Sequence, residues 1–276
     1  MASAVSLAAG AWLCVRQTAP HGTGISPDSW GYLRLAGDIA DRGFRFLGEP
    51  VAVLQPPGLP LLLGGLSALT GVEPRSIATV VVVASCLLTI LLIQSAVGRL
   101  TTMNPWVTTL VVVSSVPLFW ISAFAWTEPL FVLTVFASLY WASRRSFGIG
   151  GAALLGGLAG YVFLLRYVGV ALIPVVAMLL YRGAGPTRRR RAVKAAVFLA
   201  VSGGIVSAYV LRNYLVSGTP TGVRNGPVFD LPTSLDATLG GLLSWLVPER
   251  AAVGGPPVLW AVAVVGICWL LREGFR

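Results

Sequence analysis

Uncharged apolar stretches recur along the chain, at 2–15, 58–72, 77–98, 104–126, 129–143, 149–165, 167–181, 195–211 and 252–271. A water-soluble fold has one core and a polar shell, and it cannot hide so many. Composition agrees: 56% of the residues are hydrophobic and 11% charged, with a mean hydropathy of +0.82. Ordinary globular chains carry roughly a quarter charged residues. The chain is therefore expected to be an all-α, multi-span transmembrane helical bundle. About eight to nine membrane segments are predicted, in one domain covering 1–276, as a multi-pass protein of the cell membrane.

Charge placement sets the orientation. The run Arg188, Arg189, Arg190, Arg191 and Lys194 lies between two apolar stretches, so 182–194 is predicted as a cytoplasmic basic loop that also attracts anionic lipid. The net charge of +10 is accounted for in this way, and nucleic acid is not an expected partner. Loops 16–57 and 212–250 fall outside. Counting segments back from the basic loop leaves an odd number between Glu128 and the first outer loop. One segment must be re-entrant or broken, either 104–126, interrupted by Pro105 and Pro117, or 58–72. Irregular backbone at membrane depth is tolerated only inside protein or along a cavity. Met1 to Val15 is short for a crossing, as in a clipped first helix, and it lacks the basic start of a signal peptide.

Loop 16–57 holds an amphipathic helix with Ser26 as N-cap, Pro27 in the first turn and Gly43 at the end. On a helical wheel Arg34, Asp38, Asp41, Arg42 and Arg45 share a polar face, and Trp30, Leu33, Ala36 and Ala40 an apolar one. That pattern predicts a helix lying in the outer interface. Loop 212–250 is rich in turn formers and is expected to be irregular. The glycines Gly156, Gly157, Gly160, Gly203 and Gly204 are expected to let helices pack closely.

Chemistry must rest on carboxylates and arginines. His21 is the only histidine, and Cys14, Cys86 and Cys268 lie far apart in apolar runs as small core residues. Triads and His-ligated zinc are thereby excluded. Asp28, in the first turn of the interfacial helix, either stabilises the helix dipole or accepts a proton from a hydroxyl at the membrane surface. Glu128, in Thr127-Glu128-Pro129, is either a functional intramembrane acid or the first-turn acid of a new helix. Arg166 interrupts the apolar stretch 149–181. It neutralises a phosphate, snorkels, or pairs with Glu128. Asp28 and Glu128 can share a divalent cation only with help from substrate phosphate, since two acids make a poor site. No other cofactor is called for.

In their order, several short motifs resemble the C-type glycosyltransferase superfamily. The similarity is to its bacterial lipid-carrier-dependent branch, which includes protein O-mannosyltransferase-like and aminoarabinose transferase-like enzymes. The motifs are Pro27-Asp28-Ser29-Trp30-Gly31-Tyr32, Gln55-Pro56-Pro57-Gly58-Leu59-Pro60 and Thr127-Glu128-Pro129-Leu130-Phe131. They continue with Leu165-Arg166-Tyr167-Val168-Gly169 and with Leu211-Arg212-Asn213-Tyr214 ahead of Gly218-Thr219-Pro220. The resemblance implies a membrane enzyme that moves a sugar from a polyprenyl-phosphate donor to a protein, lipid or glycan acceptor, by one inverting displacement. It implies that Asp28 is the catalytic carboxylate, that Glu128 is a second acid of the same cavity, and that Arg166 faces the lipid phosphate. Tyr32, Gln55 and Tyr167, within the same motifs, are assigned to substrate binding, and Arg212 and Arg224 are further candidates that are either solvated or near the phosphate. Many relatives carry a second acid where this chain has Ser29, and some an acid-base pair at Gln55-Pro56. The alternative function is a non-catalytic membrane protein, such as a transporter or flippase-like subunit or an inactive member of the family.

Overall fold

The computed structural model describes residues 2–19, 21–48, 53, 55–100, 104–113, 115–144, 147–183, 187–222, 230, 232–235 and 237. Arg224, most of the 212–250 loop, Cys268 and the predicted segment 252–271 lie outside the described residues. Among the described residues the fold is all-helical, apart from one isolated parallel bridge between Gly24 and Phe124.

Ten α-helices follow one another: α1 (Ala2–Thr18), α2 (Pro27–Arg42), α3 (Gly58–Thr70), α4 (Pro74–Leu100), α5 (Pro105–Val113), α6 (Val116–Ile121), α7 (Glu128–Ala142), α8 (Ile149–Leu165), α9 (Leu172–Arg182) and α10 (Arg188–Ser217). A 3-10 turn covers Gly43–Gly48 and another, Tyr167–Ala171, joins α8 to α9. Two of these helices, α4 over Pro74–Arg99 and α10, are long and apolar enough to cross a membrane. Others that the sequence predicts as spans are shorter. The 104–126 segment is broken into α5 and α6, nine and six residues long, with prolines at the start of each piece as expected. The 167–181 segment opens as a 3-10 turn, leaving eleven α-helical residues in α9.

α2 forms where its signals predict. The Ser26 hydroxyl accepts from the Ser29 amide, Pro27 opens the helix, and Gly43 ends it at φ +63° while its N–H caps Ile39. The buried stripe is Ser29, Tyr32, Leu35, Ala36 and Ile39, packed mainly on α3. This corrects the predicted apolar face. Trp30 is turned outward with the Arg34 guanidinium stacked over its ring at 5.4 Å, and Arg45 falls beyond the helix in the 3-10 turn. The shared face is set by contact with α3, where Gly64 lets the Ala36 carbonyl come within a methyl's width.

α8 and α10 pack side by side. A Cβ on Gly156 would meet the Phe198 carbonyl at 2.8 Å and one on Gly160 would meet Ile205 at 2.6 Å. Since 156 faces 198 and 160 faces 205, the two helices run parallel and α9 returns between their ends. Gly157, Gly203 and Gly204 face open space and contribute nothing to this packing, against expectation. Phe198, Leu155 and Val176 are fully buried where α8, α9 and α10 meet. Cys14 and Cys86, far apart in sequence, belong to one buried cluster between α1 and α4.

Gly160→Val is expected to push Ile205 off α8 and destabilise the protein by about 1–3 kcal/mol. Gly203→Ala has room and should leave stability unchanged or slightly raised. Thermal unfolding in detergent separates the two.

Candidate functional site

The site is assembled by a tie between two distant segments. The Gly24 amide donates to the Ala123 carbonyl at 2.7 Å, and the Ala125 amide to the Gly24 carbonyl at 3.2 Å. Gly24 is required here because a Cβ would run into the Phe124 ring at 2.8 Å. The Trp126 indole N–H then donates to the Ser26 hydroxyl at 2.6 Å, the same oxygen that caps α2. On the other side, the Thr23 amide donates to the Thr79 hydroxyl of α4 at 3.2 Å. The result sets the N-terminus of α2 beside the N-terminus of α7. Asp28 occupies the first turn of α2 and Glu128 the first turn of α7.

α8 contributes from its opposite terminus. It stops at Arg166, whose backbone swings to φ −152°, ψ 131°, and the 3-10 turn beyond it holds Tyr167. Gly169 packs on the Val162 carbonyl, which a Cβ would approach to 2.5 Å. Arg166 Nη1 donates to Glu128 Oε1 in an ion pair. The Thr127 hydroxyl donates to the other oxygen, Oε2, at 3.3 Å. The guanidinium side chain is 40% exposed and the carboxylate 32%, so the pair contributes on the order of 1 kcal/mol or less to stability and serves chiefly to orient Arg166.

A cavity of about 470 Å³ lies at this junction, lined by Asp28, Tyr32, Gln55, Arg166 and Tyr167 together with Pro56 and Val168. Five of the eight residues expected at the site thus meet in one place. Glu128 does not line the cavity and reaches it through Arg166. Arg212 lines a neighbouring, almost wholly apolar groove of about 340 Å³ with Pro57, Leu61, Leu164, Ile205 and Tyr209. The Tyr167 and Tyr209 hydroxyls are 3.3 Å apart and stand between cavity and groove. Arg212 Nη1 donates to the buried Asn213 side-chain oxygen at 2.8 Å.

Two further details bear on ligand binding. Gln55 lies against Gly31, where a Cβ would come within 2.4 Å of its amide, and the Gln55 amide oxygen is buried without a hydrogen-bond partner. A buried unpaired acceptor costs about 1–3 kcal/mol, which a ligand hydroxyl or a water removes. Ser29, where relatives of the resembled family carry an acid, is completely buried and its hydroxyl lies 3.1 Å from that of Ser26. A carboxylate there would be desolvated, so in this chain the position is structural. Sequence reasoning missed Trp126 and Ser26 as a linked pair. No local signal joins two residues a hundred positions apart.

Asp28 lines the cavity and Glu128 pairs with Arg166 beside it, and no cluster of three metal-ligating side chains occurs among the described residues. A divalent cation would need phosphate oxygens from a substrate to complete its shell. Tyr32 is buried against this polar wall. Burial pushes its hydroxyl above the ordinary tyrosine range, against a hydrogen bond with Thr127, while the Glu128 and Asp28 carboxylates add to the rise and Arg166 opposes it.

Comparison with protein-family models, with curated proteins and with solved structures gave no match.

Because the folded state keeps Tyr32 protonated above pH 10, where an ordinary tyrosine ionises, stability is complete below that pH and falls as pH rises past it. Phenolate absorbance of wild type minus Tyr32→Phe should show one hydroxyl titrating later than a free tyrosine. A difference spectrum rising at the ordinary pH would contradict the burial.

Proposed function

We propose that the chain is a multi-pass membrane protein of about eight to nine segments, and that it acts as a glycosyltransferase on a polyprenyl-phosphate-linked sugar at the non-cytoplasmic face. The observation that carries this reading is the single cavity lined by Asp28 and Arg166, with the unpaired Gln55 oxygen beside them. A carboxylate, a cation and an unsatisfied acceptor suit a substrate that has hydroxyls and a phosphate. The apolar groove next to it suits an isoprenoid chain, with Arg212 near the phosphate end.

In the proposed reaction an acceptor hydroxyl lies against Asp28, which takes its proton as the oxygen attacks the anomeric carbon. The bond between that carbon and the phosphate oxygen breaks on the opposite face, and configuration inverts. Glycosidases protonate their leaving group with a second carboxylic acid. A departing phosphate is already a competent anion, so no such acid is needed. Arg166 uses the N–H groups not given to Glu128 to stabilise the growing phosphate charge. Glu128 is then a positioning residue that fixes the guanidinium. Gln55 accepts from a sugar hydroxyl, and Tyr32 and Tyr167 wall the ring.

The ion pair also favours a second reading. Arg166 neutralised by Glu128 is equally suited to a non-catalytic subunit in which the pair only closes the bundle. The two readings differ in the response of Asp28, which lies outside the pair. Asp28→Asn keeps the shape and removes the base. It is expected to lower sugar transfer from a polyprenyl-phosphate donor by about 10²–10⁴-fold with donor binding retained. Turnover near the wild-type rate would remove Asp28 from the chemistry and leave the non-catalytic reading.

A further inference from the structure

At the other end of α8, about 25 Å away at 1.5 Å rise per residue, the charge pattern inverts. The N-termini of the parallel helices α8 and α10 open onto a cavity of about 730 Å³ whose walls include Phe147, Ile149, Arg189, Arg190, Val193 and Lys194. Lys194 Nζ sits 5.0 Å over the Phe147 ring. Three cationic side chains thus stand on a wall that is otherwise mostly apolar.

The cations are at the unfavourable end of their helix. A helix N-terminus carries partial positive charge and stabilises acids, yet the first turn of α10 holds Arg188, Arg189, Arg190 and Arg191 and no acid. Gly148, at the N-cap of α8, supplies no side-chain cap for its first amides. The described residues offer no internal remedy. Between Glu73 and Asp230 the sole acid is Glu128, and it is committed to Arg166 at the far end of α8. Arg99 and Arg144, both stacked on the Tyr140 ring near the end of α7, add still more positive charge. Among the described residues no carboxylate pairs with Arg189, Arg190 or Lys194, and Arg191 Nε is buried without a partner.

From this we infer that the cavity between the start of α8 and the start of α10 is a binding site for the headgroup of an anionic glycerophospholipid. Its phosphate sits between Arg189, Arg190 and Lys194 at the two helix N-termini, and an acyl chain runs along Phe147, Ile149 and Val193. The anion supplies the negative charge that the described residues at this end lack, and the apolar wall accounts for a lipid rather than a free ion. The inference rests on the membrane reading proposed above but is independent of sugar transfer.

The test uses the full-length chain in a neutral detergent, with retained lipid counted by native mass spectrometry. Phosphatidylglycerol is expected to bind at least about tenfold more tightly than phosphatidylcholine, since each cation near an anionic headgroup is worth about fivefold. Arg189→Gln/Arg190→Gln/Lys194→Gln should abolish that preference. Arg99→Gln/Arg144→Gln/Arg182→Gln loses the same charge outside the cavity and should keep it. Val193→Trp takes up part of the apolar wall with charge unchanged and should weaken phosphatidylglycerol binding. Equal weakening by the two triple variants would reduce the effect to diffuse surface charge. Undiminished binding to Val193→Trp, or displacement of the lipid by an equal concentration of inorganic phosphate, would also overturn the assignment. Because activity is not read, loss of the glycosyltransferase reading leaves these outcomes unchanged.

Discussion

A few hydrogen bonds between segments 24–26 and 123–126 hold the starts of α2 and α7 against each other. Without them the two helices would have no reason to begin at the same point, because neither packs extensively on the other. The Ser26 hydroxyl is central: it caps α2, receives the Trp126 indole N–H and touches the Ser29 hydroxyl. An N-cap is worth about 1 kcal/mol to its helix. Here one oxygen also fixes the separation of two helix starts that carry acids. Positive partial charge accumulates at such a junction, which favours carboxylates at both Asp28 and Glu128.

The third component arrives from the opposite direction. α8 presents a C-terminus to the junction, and a helix C-terminus favours a cation. Arg166 is therefore matched twice, by the dipole of its own helix and by the carboxylate across from it. The same logic runs in reverse at the other end of α8, where two N-termini meet arginines. One end of α8 is balanced by Glu128, and at the other no carboxylate among the described residues pairs with Arg189, Arg190 or Lys194. Segregation of this kind follows from the sequence, which places a single acid between Glu73 and Asp230.

Much of the local architecture is legible residue by residue. Ser26, Pro27 and Gly43 mark the ends of α2, Thr127-Glu128-Pro129 marks the start of α7, and Pro105 and Pro117 mark the pieces of the broken segment. Each of these acts through the backbone nearest to it. What the sequence hides is which neighbour a helix meets. The outward turn of Trp30, the adjacency of Cys14 and Cys86, and the idle glycines Gly157, Gly203 and Gly204 all depend on packing partners. The site is intermediate. Its residues stand out as charged interruptions of apolar stretches, yet the choice among snorkelling, phosphate binding and ion pairing for Arg166 could be narrowed only by the position of Glu128. Pairing holds, and it leaves other N–H groups for a ligand.

The turn at Tyr167–Ala171 is more than a place to hang Tyr167. Wound as a 3-10 helix its five residues advance about 10 Å. The eleven of α9 add about 16 Å, matching the length of α8. Rewound as regular α-helix, the same residues would be about 2.5 Å shorter and no longer span α8. The tight winding is a length adjustment: it lets a chain of fixed residue count reach back far enough to start α10 level with α8. The wall of the cavity and the spacing of the bundle's far end are therefore set by the same five residues, and an insertion or deletion there would be felt at both.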